Sequence, residues 1–75
     1  MENLVEELTQ RWLSPLVSRS HVGTFSGGLL TPKYMANIDS RGEGPPRIRV
    51  GRKIAYPTGD LARWIAARVS DPQQR

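Results

Sequence analysis

Leu29-Leu30-Thr31-Pro32-Lys33-Tyr34-Met35-Ala36-Asn37-Ile38-Asp39-Ser40 is the stretch on which the reading of this chain turns. It reads as a helix with a sharp start. Thr31 is placed as the N-cap, where its hydroxyl can accept a bond from an orphan N–H of the first turn. Pro32 follows at the first helical position, where a missing N–H costs nothing. Leu30 before the cap and Met35 four positions into the helix can form a hydrophobic staple. Met35 and Ile38 share one face, while Lys33, Asn37 and Arg41, at i, i+4 and i+8, share another with Tyr34 beside them. One side is apolar and the other carries a cation, an amide and a phenol, the pattern of a recognition helix for nucleic acid.

Upstream, Ser26-Gly27-Gly28 breaks the chain. Before it a helix is expected from Ser18 to about Phe25, with Ser18 as N-cap and Val17 stapling onto Val22. A helix, a glycine turn and a second capped helix make a helix-turn-helix pattern. Further upstream, Asn3 to Leu13 is expected to be helical. Asn3 and Glu6 resemble a capping box, Glu6 and Glu7 suit the positive end of the helix dipole, and Leu4, Val5, Leu8 and Trp12 follow at helical spacing. Ser14-Pro15 ends it, because a residue before proline avoids the helical region.

Downstream, Arg41-Gly42-Glu43-Gly44-Pro45-Pro46 cannot continue a helix and reads as an exit loop. Arg47-Ile48-Arg49-Val50 alternates, which puts Ile48 and Val50 inward and both arginines outward. Ile54-Ala55-Tyr56 alternates again. A three-residue loop, Gly51-Arg52-Lys53, would pair Val50 with Ile54 and Ile48 with Tyr56, making one face wholly apolar, whereas a two-residue turn would mix the faces. The three-residue loop is therefore expected. Thr58, after Pro57, is read as the cap of a last helix running to Val69, with Asp60 in its first turn, Arg68 in its last, and Leu61, Trp64, Ile65 and Val69 as its buried stripe. Residues 70–75 read as a polar tail that frays.

Seventy-five residues make one domain with a thin core. With no cysteine and one histidine, neither a disulfide, a Cys-based metal site nor a catalytic zinc is expected. No apolar run approaches the roughly 18 residues that span a membrane, and the acidic N-terminus is no signal peptide. The absence of cysteine suits a bacterial cytoplasmic protein.

The net charge of +4 is unevenly spread. Glu2, Glu6 and Glu7 give residues 1–10 a charge of −3, while Arg41, Arg47, Arg49, Arg52 and Lys53 against Glu43 give residues 41–53 a charge of +4. A basic middle behind an acidic head suggests an anionic partner for one surface; the bland alternative is a solvated charged face.

The order of motifs resembles a known family. Val17-Ser18-Arg19-Ser20-His21-Val22, then Gly27-Gly28-Leu29-Leu30-Thr31-Pro32, then Gly42-Glu43-Gly44-Pro45-Pro46, then Val50-Gly51-Arg52-Lys53-Ile54-Ala55-Tyr56, and finally Asp60-Leu61-Ala62-Arg63-Trp64-Ile65 look like the small winged-helix family of phage excisionases and of MerR-like and AlpA-like DNA-binding proteins. Within it, the chain is similar to the excisionases, or recombination directionality factors, of integrative and conjugative elements. The likeness covers roughly residues 16–69. It implies an α+β fold, a winged helix-turn-helix with a β-hairpin wing, to which residues 1–15 add an extra N-terminal helix. It also implies a protein that binds attachment-site DNA and steers a tyrosine recombinase (integrase) toward excision; members also act as transcriptional regulators. Carried over, the reading helix is Thr31–Ser40 and the wing is Arg47–Tyr56, with Arg52 and Lys53 at its tip. The expected setting is cytoplasmic and nucleoid-associated.

The candidate DNA-binding residues are then Arg19, Ser20, Thr31, Lys33, Tyr34, Asn37, Arg41, Arg47, Arg49, Arg52 and Lys53. Asn is shaped for adenine and Lys for guanine acceptors. Arg19 and Ser20 open the helix that crosses the backbone in such motifs and could clamp phosphate. Arginine's planar fork suits phosphate and narrow minor grooves. Tyr34 either contacts the nucleic acid or closes the core edge, and Arg47 or Arg49 could instead pair with a carboxylate such as Glu43. Asp39 would be repelled by phosphate unless it points away. Trp12, Phe25, Tyr56 and Trp64 fall on apolar faces and are read as core, not as stacking platforms. No catalytic constellation and no phosphate-loop lysine is present, so an enzyme is not expected, nor is a cofactor. Three functions remain: an excisionase binding several sites on double-stranded DNA with bending and self-association through its acidic first helix, a plain transcriptional regulator, or a module whose basic face meets an acidic protein.

Overall fold

The computed structural model describes residues 4–69. Their order is α1 (Leu4–Gln10), β1 (Leu16–Ser18), a 3-10 turn (Arg19–His21), α2 (Val22–Phe25), α3 (Pro32–Ser40), β2 (Ile48–Val50), β3 (Lys53–Pro57) and α4 (Thr58–Ala67). The strands form an antiparallel sheet in the order β1-β3-β2. Among the described residues this is an α+β architecture of four α-helices and one three-stranded sheet. Asn3 as a cap and the 70–75 tail lie outside the described residues.

The core is built from Val17, Val22, Phe25, Leu30, Met35, Ile38, Tyr56, Leu61 and Ala62. Helix α1 fully buries no residue. It lies against α4 and adds Val5, Leu8 and the following Trp12 to the rim of the core. Trp12 meets Phe25 edge to face, with ring centroids 5.5 Å apart, and its indole N–H donates to the Leu16 carbonyl.

Helix α3 follows the expected chemistry closely. Thr31 Oγ1 accepts from the Tyr34 N–H at 3.1 Å, Pro32 opens the helix, and Leu30 and Met35 are both buried. The helix stops in a Schellman turn, with Gly42 N–H on Asp39 O and Glu43 N–H on Ile38 O. Ser26 fixes the approach to α3. Its buried hydroxyl donates to Val22 O at 2.7 Å and accepts from Leu30 N–H at 2.9 Å, so the break before α3 is braced by a side chain as well as shaped by glycines.

Four expectations are corrected. Residues 16–18 form a strand, and only Val22–Phe25 of the expected second helix is α-helical. Val17 pairs with Tyr56 on β3, and the burial of both side chains outweighs the local helical signal; Ser18 still caps, accepting from Ser20 N–H, but it caps the 3-10 turn.

The hairpin has a two-residue turn, Gly51-Arg52, pairing Val50 with Lys53, Arg49 with Ile54 and Ile48 with Ala55. Gly51 has φ +63°, and a glycine at the first of two turn positions matches a II′ turn, whose twist suits the flanking strands. Arg49 therefore shares a face with Ile54 and Tyr56, while Ile48 and Val50 are 40% and 68% exposed. The apolar-face argument fails because β2 lies over a polar groove and not over the core. Third, Thr58 does not cap α4. Its hydroxyl donates to Ser14 O at 2.7 Å and its N–H to Pro15 O at 2.9 Å, tying α4 to the chain leading into β1. Fourth, α1 and α4 are shorter than their patterns: Leu13 is almost fully exposed, and Val69, beyond the end of α4, is 38% exposed.

Candidate nucleic-acid interface

At 100° per residue, the burial of Met35, Ile38 and Asp39 fixes how α3 is turned. Lys33 and Asn37 lie on the opposite, exposed crest. Ala36 and Ser40 descend from that crest on one side. There they meet Arg47, Arg49 and Arg52 of the hairpin across a groove of about 670 Å³ whose floor includes Arg19, Asp39 and Ile54. Near the start of α3 a smaller groove brings Pro32 beside Ser18, Ser20, Arg52 and Lys53. The exposed side of α3 and the hairpin thus border the same channels.

Under the larger groove is a polar network. Tyr56 OH donates to Asp39 Oδ2 at 2.6 Å. Arg19 Nη2 donates to the same oxygen at 2.6 Å, and Arg19 Nε to the Tyr56 oxygen at 3.1 Å. Arg47 Nη1 stands 3.8 Å from Asp39 Oδ1. Burial works against the charge of Arg19, but its bonds to Tyr56 and Asp39 prevail and hold its pKa above the ordinary arginine value. Burial pushes the Tyr56 pKa up, the bond to Asp39 adds to this, and Arg19 opposes it. Gly44 is the close neighbour of this network: a Cβ there would lie 1.8 Å from Asp39 Oδ1.

Each candidate residue can now be placed. Lys33, Asn37 and Arg41 are exposed along α3 and its C-cap. Arg47, Arg49 and Arg52 line the groove, with Arg49 Nε donating to Gly51 O at 3.1 Å and so bracing the turn. Lys53 is exposed beside the smaller groove. Ser20 is exposed, its hydroxyl 2.9 Å from Ser18 Oγ and 3.3 Å from His21 Nδ1. The hydroxyl of Thr31 is engaged in capping. Arg19 is committed to Asp39 and Tyr56, with a quarter of its side chain exposed. Tyr34 is set apart. It lines an apolar groove with Leu29, Trp64, Ile65 and Val69, on the other side of α3 from the hairpin. Of the two arginines that could pair with a carboxylate, Arg47 does so, and the carboxylate is Asp39 in place of Glu43; the Glu43 carbonyl lies by α4, where it accepts from Trp64 and Arg68.

The network of Arg19, Asp39 and Tyr56 was missed, although a signal existed. Asp39 is i+4 from Met35 and so falls on the buried stripe; an acid there needs partners, and a nearby arginine and tyrosine can supply them. Arg68 stacked over the Trp64 ring at 4.2 Å was also missed. Among the described residues there is no group of three or more potential metal ligands, and no helix long and apolar enough to cross a membrane. Comparison of the whole chain with protein-family models, curated proteins and solved structures finds no match.

Proposed function

We propose that this chain is a winged helix-turn-helix protein that binds double-stranded DNA, with α3 as its reading helix and β2–β3 as its wing. Within that class we read it as an excisionase that directs a tyrosine recombinase toward excision. The observation that carries the DNA reading is that Lys33 and Asn37 stand exposed on the crest of α3, while Arg47, Arg49 and Arg52 line a groove bordered by the adjacent side of the same helix at Ala36 and Ser40. A helix of this kind enters the major groove by its first turns, where lysine and asparagine have matching acceptors and donors. Cationic side chains beside it suit the phosphate backbone, whose neutralisation supplies much of the affinity. The excisionase assignment rests on the motif series from Val17 to Ile65 described above.

Fluorescence anisotropy with a random duplex at several salt concentrations tests the first part. About five phosphate contacts give log K falling against log salt with a slope of about −4 to −5. Absence of salt-dependent binding would show that the basic face serves another kind of partner. Adding the protein to an excision assay with a cognate integrase tests the second part: DNA binding without stimulation of excision leaves a transcriptional regulator.

A further inference from the structure

We infer that Arg47 is a shared cation, anchored from below by the Asp39 carboxylate and presenting its outer edge to a phosphodiester lying in the groove between α3 and the hairpin. This rests on the DNA reading and names the seat of one phosphate within it. Asp39 is only 4% exposed in its side chain. Its Oδ2 is saturated by Tyr56 and Arg19, whereas its Oδ1 is buried with no hydrogen-bond partner among the described residues. A buried, charged oxygen without a partner is costly. The cation facing it is Arg47, at 3.8 Å: too long for a hydrogen bond and short enough for an ion pair. Arg47 itself remains 41% exposed, so its fork is only partly used from below. A guanidinium has five donors in one plane and can serve a carboxylate with one edge and a phosphate with another; an ammonium offers a point charge without that geometry.

The electrostatics of the groove favour an anion despite Asp39. Four arginines against one aspartate leave a charge of +3 along its lining, and Arg19 already neutralises the acid directly. Asp39 is thus a positioning residue, and Arg47 the residue that meets phosphate. Restraint by Asp39 lowers the side-chain entropy lost when the phosphate arrives.

The test is anisotropy of wild type, Arg47→Ala and Arg47→Lys on a random duplex across a salt series, with a thermal melt of each. Arg47→Ala is expected to flatten the log K against log salt slope by about 0.9, the value of one phosphate contact, and to lower the melting temperature because the Asp39 carboxylate loses the cation that faces Oδ1 and keeps only Arg19, bound at Oδ2. Arg47→Lys is expected to keep the wild-type slope and to melt between the two. A slope unchanged in Arg47→Ala, with wild type binding normally, overturns the phosphate seat alone. An unchanged melting temperature overturns the anchoring by Asp39. Wild type without salt-dependent binding overturns the DNA reading itself.

Discussion

A phenol, a guanidinium and a carboxylate meet where Tyr56, Arg19 and Asp39 converge, and their bonds set the chemistry of the molecule's polar side. Removing the phenol hydroxyl leaves Arg19 Nε without its acceptor and Asp39 with one donor fewer. Tyr56→Phe should cost about 1–3 kcal/mol, read from urea denaturation at neutral pH. The pH dependence follows from the direction of the Tyr56 shift. Its folded pKa is raised, so its contribution is fully present below the unfolded phenol value of about 10 and is lost as pH climbs through the higher folded value. The stability difference between wild type and Tyr56→Phe should therefore be flat from neutrality to just below pH about 10 and should shrink above it; a difference constant to higher pH would contradict the shift. Gly44→Ala drives a methyl group into Asp39 Oδ1 and should cost about 1–3 kcal/mol as an overpacked site, measured by the same denaturation. At this scale the sequence is only half legible. Helical spacing puts Asp39 on the buried stripe, but nothing local says that Arg19, twenty residues earlier, and Tyr56, seventeen later, complete it.

Elements differ in legibility according to where their signals come from. Helix α3 is readable because its cap and its proline act within a few residues, and the bond that realises the cap is local. The hairpin register departs from the expected one because apolar alternation fixes a register only where both strands lie over the core. Only the central strand β3 does so: Tyr56 is fully buried beside Val17, whereas all three residues of β2 are exposed. Strand β1 was invisible for the related reason that three residues become a strand only when β3 offers its edge. The corrected register makes a prediction opposite to the expected one. Ile48→Ser, on the outward face, should alter stability by no more than about 0.5 kcal/mol, whereas Ile54→Ala, half-buried against the core, should cost about 2 kcal/mol. Urea midpoints of the two variants decide it; a larger loss at Ile48 would restore the three-residue loop.

For the molecule as a whole, the question is what α1 contributes, since it supplies no residue to the groove between α3 and the hairpin. It packs on α4, and Trp12, two residues past its end, packs edge to face on Phe25 and ties itself to Leu16. A chain of 75 residues has a stability on the order of 4–11 kcal/mol at the usual value per residue, so one aromatic clasp is a large share of it. Trp12→Ala removes a half-buried indole and its hydrogen bond, for an expected loss of about 2–3 kcal/mol. In a domain of this size that lowers the melting temperature by roughly 10 °C or more. If this segment acts only by holding the core together, the folded fraction of the variant should bind duplex DNA with an unchanged slope of log K against log salt, because the count of phosphate contacts is set by residues of the grooves, to which α1 and Trp12 contribute none. Melting and anisotropy on the same sample, below the variant's transition, separate the two effects. A lowered melting temperature with the wild-type slope makes Trp12 the clasp that holds the N-terminal segment on the core, and a flattened slope would mean that this segment shapes the DNA-binding surface directly.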